Sequence, residues 1–371
     1  MAAHMHALLL AGGGHAHVEV VRRWSPRSAA TRAAVLVNPS RWFVYSGMVP
    51  GVVAGHYPFE ACRIDLAACC ARAGVQFIEG RVDRLDLRSN VAYLDSGQVV
   101  EFQLVSLDVG SSPDPDAIEG ARQHGLAVRP LAGLLEQWRA WLDAWAHDRT
   151  RPGLVVVGGG AGGAEMAMAA AHAMHRVTAS TQRQMVTLVS DRLVPSHGED
   201  VRRRVERALR RLHVDLVPRR VARLTADSVV CDDGQTISAG LVVYATGAVA
   251  APWLHASGLQ TDASGCVLVD STLRSVSHPL VFAAGDAATM TSHPLPKAGV
   301  FAVRQGAVLA GNLAAALYGD PLKPYVPQQR WLSLISLGER RAIGSYGAVT
   351  WEGGWVWRWK DVIDRRFVRG T

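Results

Sequence analysis

The sequence predicts an α/β protein carrying two strand–glycine turn–helix units of the dinucleotide-binding kind. Three observations carry this. Leu154–Val157 is an apolar, mostly β-branched run of the sort that forms a buried parallel strand. It enters a turn in which Gly158, Gly160 and Gly163 fit G-x-G-x-x-G, and Glu165–Ala171 reads as the helix that follows. A similar stretch opens the chain: the strand Ala7–Ala11, then Gly12-Gly13-Gly14, then a helix through Val18 to Arg23.

The spacing has a physical reason. The first glycine allows the tight reversal from strand to helix, the second lets backbone approach a pyrophosphate, and the third lets helix and strand pack closely. The helix N-terminus then turns its partial positive charge toward the phosphates. In the opening turn Gly12 and Gly14 match, but His17 stands where the third glycine belongs, so this helix is expected to sit further from its strand or to tilt.

At 371 residues the chain is long enough for two domains and a large core, and 49% hydrophobic with 19% charged residues is a globular composition. The net charge of +7 comes from arginines spread over several segments. Nucleic acid, an anionic membrane surface or phosphate-bearing cofactors would each suit it, and no nucleic-acid motif appears, which favours the last two. Five cysteines without C-x-x-C or metal-type spacing point to a reducing compartment, and Cys69-Cys70 reads as a buried pair on a helix. His4, His6, His15 and His17 crowd the N-terminus, but the turn accounts for His15 and no metal is expected. Residues 1–10 lack the basic segment of a signal peptide, and no run approaches the ~18 apolar residues of a membrane span.

The remaining elements follow in order. Ala33–Val37 is a strand ended by Asn38, about 20 residues past the glycines, where an acidic residue usually holds ribose hydroxyls. Residues 43–55 are Gly-rich yet too apolar for a solvated loop, and are expected to pack over a cofactor. Val75–Ile78 and Arg81–Leu87 read as strands, Val91–Leu94 and Val99–Phe102 as a hairpin, and Leu104–Gly110 as a separate buried strand before the turn-rich linker 111–116. Leu131, Leu134, Leu135, Trp138, Trp141, Leu142 and Trp145 recur at helical spacing. Met185–Val189 is a strand ending at Ser190-Asp191-Arg192, where Ser190 does not decide between NAD and NADP and Arg192 would suit a 2′-phosphate. An Arg-rich helix spans Val201–Leu212, and Leu241–Gly247 echoes Leu104–Gly110. Val281–Asp286 is a strand ending in Gly285-Asp286, and a helix of about 300–317 follows.

Two Gly-rich turns, Ala245-Thr246-Gly247 and a late Gly285-Asp286 resemble the two-dinucleotide-domain flavoproteins: pyridine nucleotide–disulfide oxidoreductases, type II NADH dehydrogenases and sulfide:quinone oxidoreductases. Residues 12–19, 45–55, 106–110 and 296–306 look closest to the NADH-dehydrogenase-like flavoproteins sometimes fused to selenide, water dikinase. The resemblance covers about residues 6–320. It implies two Rossmann-like three-layer ββα domains. An FAD domain of residues 1–125 and 248–325 would be interrupted by an NAD(P)H domain of 126–247, with 326–371 as a C-terminal cap or docking segment. It further implies that Gly12, Gly14, His15 and Ala16 lie at the FAD pyrophosphate, Asn38 and Arg41 near the adenosine ribose, and Val82 near the adenine. Gly110 would close the FAD pocket, Gly247 and Gly285 would be cofactor-binding, and Asp286 would accept from the ribityl chain. Lys297, Ala298, Val300 and Phe301 would line the isoalloxazine, with Lys297 the catalytic candidate because an ammonium stabilises charge on reduced flavin. Gly158, Gly160, Gly163 and Glu165 would bind NAD(P)H.

The departures shape the expected activity. The redox cysteine pair of the disulfide enzymes and the flavin-flanking cysteines of the sulfide enzymes are absent, which disfavours both chemistries. Of the paired glutamines near the quinone in type II dehydrogenases, only Gln305 is present, beside Arg304. The expected function is an FAD-dependent NAD(P)H dehydrogenase passing electrons to a quinone or another small acceptor, as a monomer or homodimer, cytoplasmic or peripheral at the inner face of a membrane. The alternatives are a flavin oxidase or dehydrogenase of a small metabolite with a vestigial second site, and a flavin-bound redox sensor or scaffold. In the tail, Trp355, Trp359, Val362, Ile363 and Phe367 form one helical stripe with basic residues mostly opposite. That stripe suits either an interfacial membrane helix or a helix packed on the FAD domain, where Trp331 and Trp351 would cover the flavin.

Overall fold

The computed structural model describes residues 5–26, 33–148, 150–178 and 185–370; His4 lies outside them. The chain forms two compact units, one of Met1–Phe43, Ile64–Ser111 and Val249–Gln329, the other of Val44–Arg63, Ser112–Ala248 and Arg330–Thr371.

The first unit is built on a seven-stranded sheet. Its strands run in the order Gln76–Glu79, Ala34–Asn38, Met5–Ala11, Val99–Leu107, Val91–Leu94, Val82–Asp86, with Val281–Ala283 also paired to Val99–Leu107. Val99–Leu107 is one continuous strand, where a hairpin arm and a separate buried strand were expected. Polar Glu101 and Gln103 lie where the two expected segments meet. They fall on alternate positions, so the strand passes them without interruption and then becomes buried on both faces from Leu104 to Leu107. Its first residues pair antiparallel with Val91–Leu94, while Glu101–Leu107 pair parallel with Met5–Ala11.

The helix His15–Arg23 packs on the helix Gly299–Tyr318. The latter is 20 residues long with an 18-residue window of mean hydropathy 1.4, long and apolar enough by length and composition to cross a membrane, contrary to the expectation that no segment comes near. Its Phe301, Leu309 and Leu313 are buried in the unit, and Asn312 is tied to Thr272 O and Lys323 O at 2.8 Å each. The imidazole of His17 fills the place of the missing third glycine: Nδ1 lies 2.6 Å from Gly12 O and Nε2 lies 2.8 Å from Ser106 Oγ.

The second unit holds an all-parallel five-stranded sheet in the order Leu126–Ala127, Leu241–Tyr244, Leu154–Val157, Val186–Val189, Val214–Val217. The helix after the glycine turn runs from Ala161 to Thr178, well past the expected Glu165–Ala171, because its Ala-rich face stays buried through Met174. Trp138 and Trp145 of the helix Leu131–His147 are core residues, as their spacing suggested.

This unit does not follow the expected domain edges. Residues 44–63, assigned to the FAD domain, fold here as a short turn and the helix Val49–Val53, and Met48, Val49 and Val53 share a core with Trp138, Trp145 and Met168. Most of the tail also belongs here. Leu332–Ser336, Ala342–Tyr346 and Val349–Gly353 form an antiparallel sheet whose Ile335, Leu337 and Ile343 neighbourhood enters the same core, and the helix Gly354–Arg369 follows. Burial of apolar surface outweighs chain adjacency in drawing these segments together.

Candidate functional site

The first glycine turn is shaped by a residue the sequence reading passed over. Asp108 ends the strand Val99–Leu107 and is buried. Its carboxylate accepts the His17 backbone N–H at 2.9 Å, and its carbonyl accepts from Gly14. A Cβ on Gly14 would collide with the Asp108 carboxylate, and one on Gly12, at φ +88°, would collide with the Asp108 backbone. Gly285, at φ +64°, approaches the same carboxylate. An acidic residue closing an apolar strand was the available signal.

Two residues expected at the adenosine are engaged within the protein. Asn38 Oδ1 accepts from Gly13 N at 2.8 Å while its Nδ2 donates to Ser40 O, so the side chain braces the turn. Arg41 makes a two-pronged pair with Asp65 at 3.0 and 2.7 Å, which holds the Asp65 carboxyl below its ordinary range. Ala16 is fully buried in the first helix, Val82 is buried in the strand Val82–Asp86, and Gly110 adopts φ +73°.

Gly285, Asp286, Lys297, Ala298 and Phe301 line one pocket, with Met290, Pro296 and Gln305 among its other walls; Val300 is not among them. Ser111 Oγ donates to Asp286 Oδ2 at 3.5 Å. Lys297 Nζ donates to Ala288 O at 2.5 Å and to Thr289 Oγ1 at 3.0 Å. Gln305, singled out as the surviving glutamine of a quinone pair, is buried and accepts the Gly285 N–H at 2.8 Å, a structural task. A left-handed glycine turn at a helix N-terminus has the form that takes the pyrophosphate of a dinucleotide.

The second turn divides its glycines by task. Gly158 sits at φ +115°, where a Cβ would lie 2.7 Å from Ala245 O, and a Cβ on Gly163 would collide with Gly158 O. A Cβ on Gly160 or Gly162 would meet nothing within 4 Å. The open side of Gly160 therefore leaves room for a phosphate. Beside this turn Thr246 Oγ1 is buried without a hydrogen-bond partner in the protein, an orphan that a bound nucleotide would satisfy, and Gly247 next to it faces open space. Ser190 and Arg192 make a closed local turn, Ser190 Oγ donating to Arg192 O at 2.9 Å.

Glu165, expected to bind NAD(P)H, instead accepts the Ser336 backbone N–H at 2.7 Å. Burial pushes its carboxyl up to about 7, against the opposing pull of Lys360. Among the described residues no group of three His, Cys, Asp or Glu side chains could hold a metal. All five cysteines are free and buried, Cys69 and Cys70 on the helix Leu66–Ala73.

The tail helix packs by a face roughly 100° round the helix from the centre of its apolar stripe. Val356, Lys360 and Asp364 face inward, while Trp355 is 57% exposed, Trp359 39% and Val362 63%. Lys360 Nζ lies 2.6 Å from Asp364 Oδ2 and 2.5 Å from Gly47 O, and Tyr45 and Tyr57 donate their hydroxyls to Asp364 and Asp361. Of the stripe, Phe367 meets the ring of Tyr45 at 4.7 Å and Trp359 stacks on Trp351 at 6.2 Å, both in the same unit. Trp355, Val362 and Ile363 stay outward, and the tail from Arg330 onward groups with the second unit.

Residues 8–306 match the model of the family described as pyridine nucleotide-disulphide oxidoreductase. Ferroptosis suppressor protein 1 of Xenopus laevis is 25% identical over 284 residues, covering 73% of this chain and 71% of its own. The alternative NAD(P)H-ubiquinone oxidoreductase C1 of Arabidopsis thaliana is 24% identical over 353 residues, covering 85% of this chain and 66% of its own. Among solved structures, NDH2 of Plasmodium falciparum in complex with NADH aligns with a TM-score of 0.79 at 11% identity, over 98% of both chains, which shows a shared fold.

Proposed function

The chain belongs to the pyridine nucleotide-disulphide oxidoreductase family and is an NAD(P)H-dependent flavin oxidoreductase, and we propose that it passes electrons from FAD to a quinone at a membrane surface. The observation that carries the acceptor reading is the outward stripe of the tail helix. Trp355, Trp359, Val362 and Ile363 are exposed together, with Arg358, Arg366 and Arg369 exposed on the same helix. Rings and aliphatic side chains beside basic groups suit an anionic headgroup layer over acyl chains, which is where quinones dissolve. The ubiquinone named for the Arabidopsis relative supports the same acceptor class.

The residues divide the task. The backbone of Gly12–His15 and the N-terminus of the helix His15–Arg23 would hold the FAD pyrophosphate, and Asp286 the ribityl hydroxyls. FAD, when bound, supplies a two-electron acceptor for hydride. Lys297, Ala298 and Phe301 would line its ring, with Lys297 placing positive charge where reduction adds negative charge. Gly158, Gly160, Gly163 and the Thr246 hydroxyl would hold NAD(P)H. No side-chain base is required for hydride transfer, so the protein contributes alignment, exclusion of water and electrostatics.

Stopped-flow mixing of the holoprotein with NADH and with NADPH tests the donor side. Flavin bleaching faster than about 1 s⁻¹ is expected with at least one of them, in line with ordinary turnover. Bleaching with neither would leave the oxidase and sensor readings. Reoxidation by a quinone in anionic liposomes, faster than by the same quinone in detergent, tests the acceptor side; equal rates would count against a membrane-borne acceptor.

A further inference from the structure

The pocket that holds Lys297 is backed by a hydrogen-bond chain with a fixed direction. Asp262 sits in a tight turn, where its Oδ1 accepts the backbone N–H groups of Ser264 at 2.9 Å and Cys266 at 3.0 Å. Its other oxygen, Oδ2, accepts the Thr289 hydroxyl at 2.6 Å. Thr289 has one hydroxyl hydrogen, and Asp262 takes it. The threonine oxygen then faces Lys297 as an acceptor only, and Lys297 Nζ donates to it at 3.0 Å. Ala288 O takes a second Lys297 N–H at 2.5 Å.

The frame beneath this chain is a pair of parallel strands. Thr289 lies on the strand Ala288–Met290, which pairs in parallel with Val267–Val269 directly after the Asp262 turn. The same turn reaches the other polar residue of the pocket, since the buried Cys266 Sγ donates to Asp286 O at 3.4 Å. Lys297 is an exposed residue, yet its ammonium is not held by water alone. Here two acceptors and a buttressing carboxylate fix it at the wall of the pocket.

We infer that Thr289 and Asp262 are positioning residues that hold the Lys297 ammonium at the pocket and thereby set the reduction potential of the flavin bound there. This rests on the reading of Lys297 as the cation beside the ring. Reduction of that ring leaves negative charge, and a cation held in place favours the reduced form more than one free to swing into solvent. Thr289 is therefore a determinant of the potential although it need not touch the flavin.

The test is the two-electron midpoint potential of the FAD-loaded protein, with the affinity of the flavin for sulfite as a second readout of positive charge near the ring. Thr289→Val keeps the shape of the side chain and removes the link, Thr289→Ser restores the hydroxyl, and Lys297→Met removes the charge. Lys297→Met is expected to lower the potential most. Thr289→Val should weaken the reduced state about tenfold, ~30 mV for two electrons, and Thr289→Ser should restore it. In the Lys297→Met background Thr289→Val should cause no further shift, because its effect runs through the lysine. If Thr289→Val loses FAD, Thr289→Ala takes its place. A shift with Lys297→Met but none with either Thr289 variant would overturn the inference, as would a Thr289 shift that persists without the lysine. No shift with Lys297→Met would overturn the underlying placement of Lys297 instead.

Discussion

Ser336 donates its backbone N–H to Glu165 Oε1 at 2.7 Å, so a side chain from the nucleotide-turn helix is tied to a strand 171 residues further along the chain. Burial raises the carboxyl to about 7 from an ordinary 4.5, with Lys360 pulling it down and Asp364 pushing it up. Between these pH values the folded chain holds a proton that the unfolded chain has lost, so this group's contribution to stability falls as pH rises through the window and is level above about 7. Glu165→Gln keeps an acceptor for Ser336. It should be more stable than the wild type at pH 8, on the order of 2 kcal/mol, and equal to it near pH 4, read from urea midpoints.

His17 has the opposite slope. Burial lowers its imidazole from 6.5 to about 4, partly offset by the Gly12 carbonyl, so its contribution is present above 6.5 and lost as pH falls toward 4. In the wild type the Glu165 and His17 slopes oppose each other, and each shows only as a difference from its own variant. His17→Gly would complete the glycine pattern, yet it should lower stability by about 2–4 kcal/mol, because it empties a filled space and leaves Ser106 and the Gly12 carbonyl unpaired. Denaturation at pH 7.5 checks this; a gain in stability would mean that the ring is not holding the turn.

Gly160 and Gly163 should fail in different ways. Gly160→Val adds a side chain into open space, so melting should be unchanged while NADH titration shows lost binding. Gly163→Ala drives a methyl into the Gly158 carbonyl and should destabilise the unit with or without nucleotide. Normal NADH affinity in Gly160→Val would remove the turn from the nucleotide site.

The buried pair on the tail helix yields a cycle. Lys360→Met leaves the Asp364 carboxylate buried with its cation gone and should cost about 3 kcal/mol. Lys360→Met with Asp364→Leu removes both charges and should recover most of that loss, though Tyr45 loses its acceptor. Thermal melts of the three proteins decide it, and equal loss in the single and double variants would mean that packing, not charge, sets the cost.

Trp355 and Trp359 should carry membrane contact. With both changed to Ser, the protein should keep its FAD and, apart from a small loss from the Trp351–Trp359 stack, its melting point, but should no longer float with anionic liposomes at low salt. Flotation equal to that of the wild type would place the membrane contact elsewhere.

The sequence by itself determined what depends on neighbours along the chain. The strand–glycine–helix units at Gly12 and Gly158, the Gly285-Asp286 turn and the tryptophan helix Leu131–His147 each follow from local spacing, because backbone dihedrals and side-chain period act over a few residues. Only the tertiary structure decided which distant groups meet. Asn38 and Gln305 became braces for glycine turns, Glu165 turned to Ser336, and Asp108 emerged as the carboxylate shared by Gly14 and Gly285. The tail shows the reason most directly. Its stripe of Trp355, Trp359, Val362 and Ile363 is plain in the sequence, but an amphipathic period does not say which face turns inward. That choice fell to Lys360 and Asp364, whose charges find each other, Tyr45 and the Gly47 carbonyl inside the fold and leave the apolar side outward.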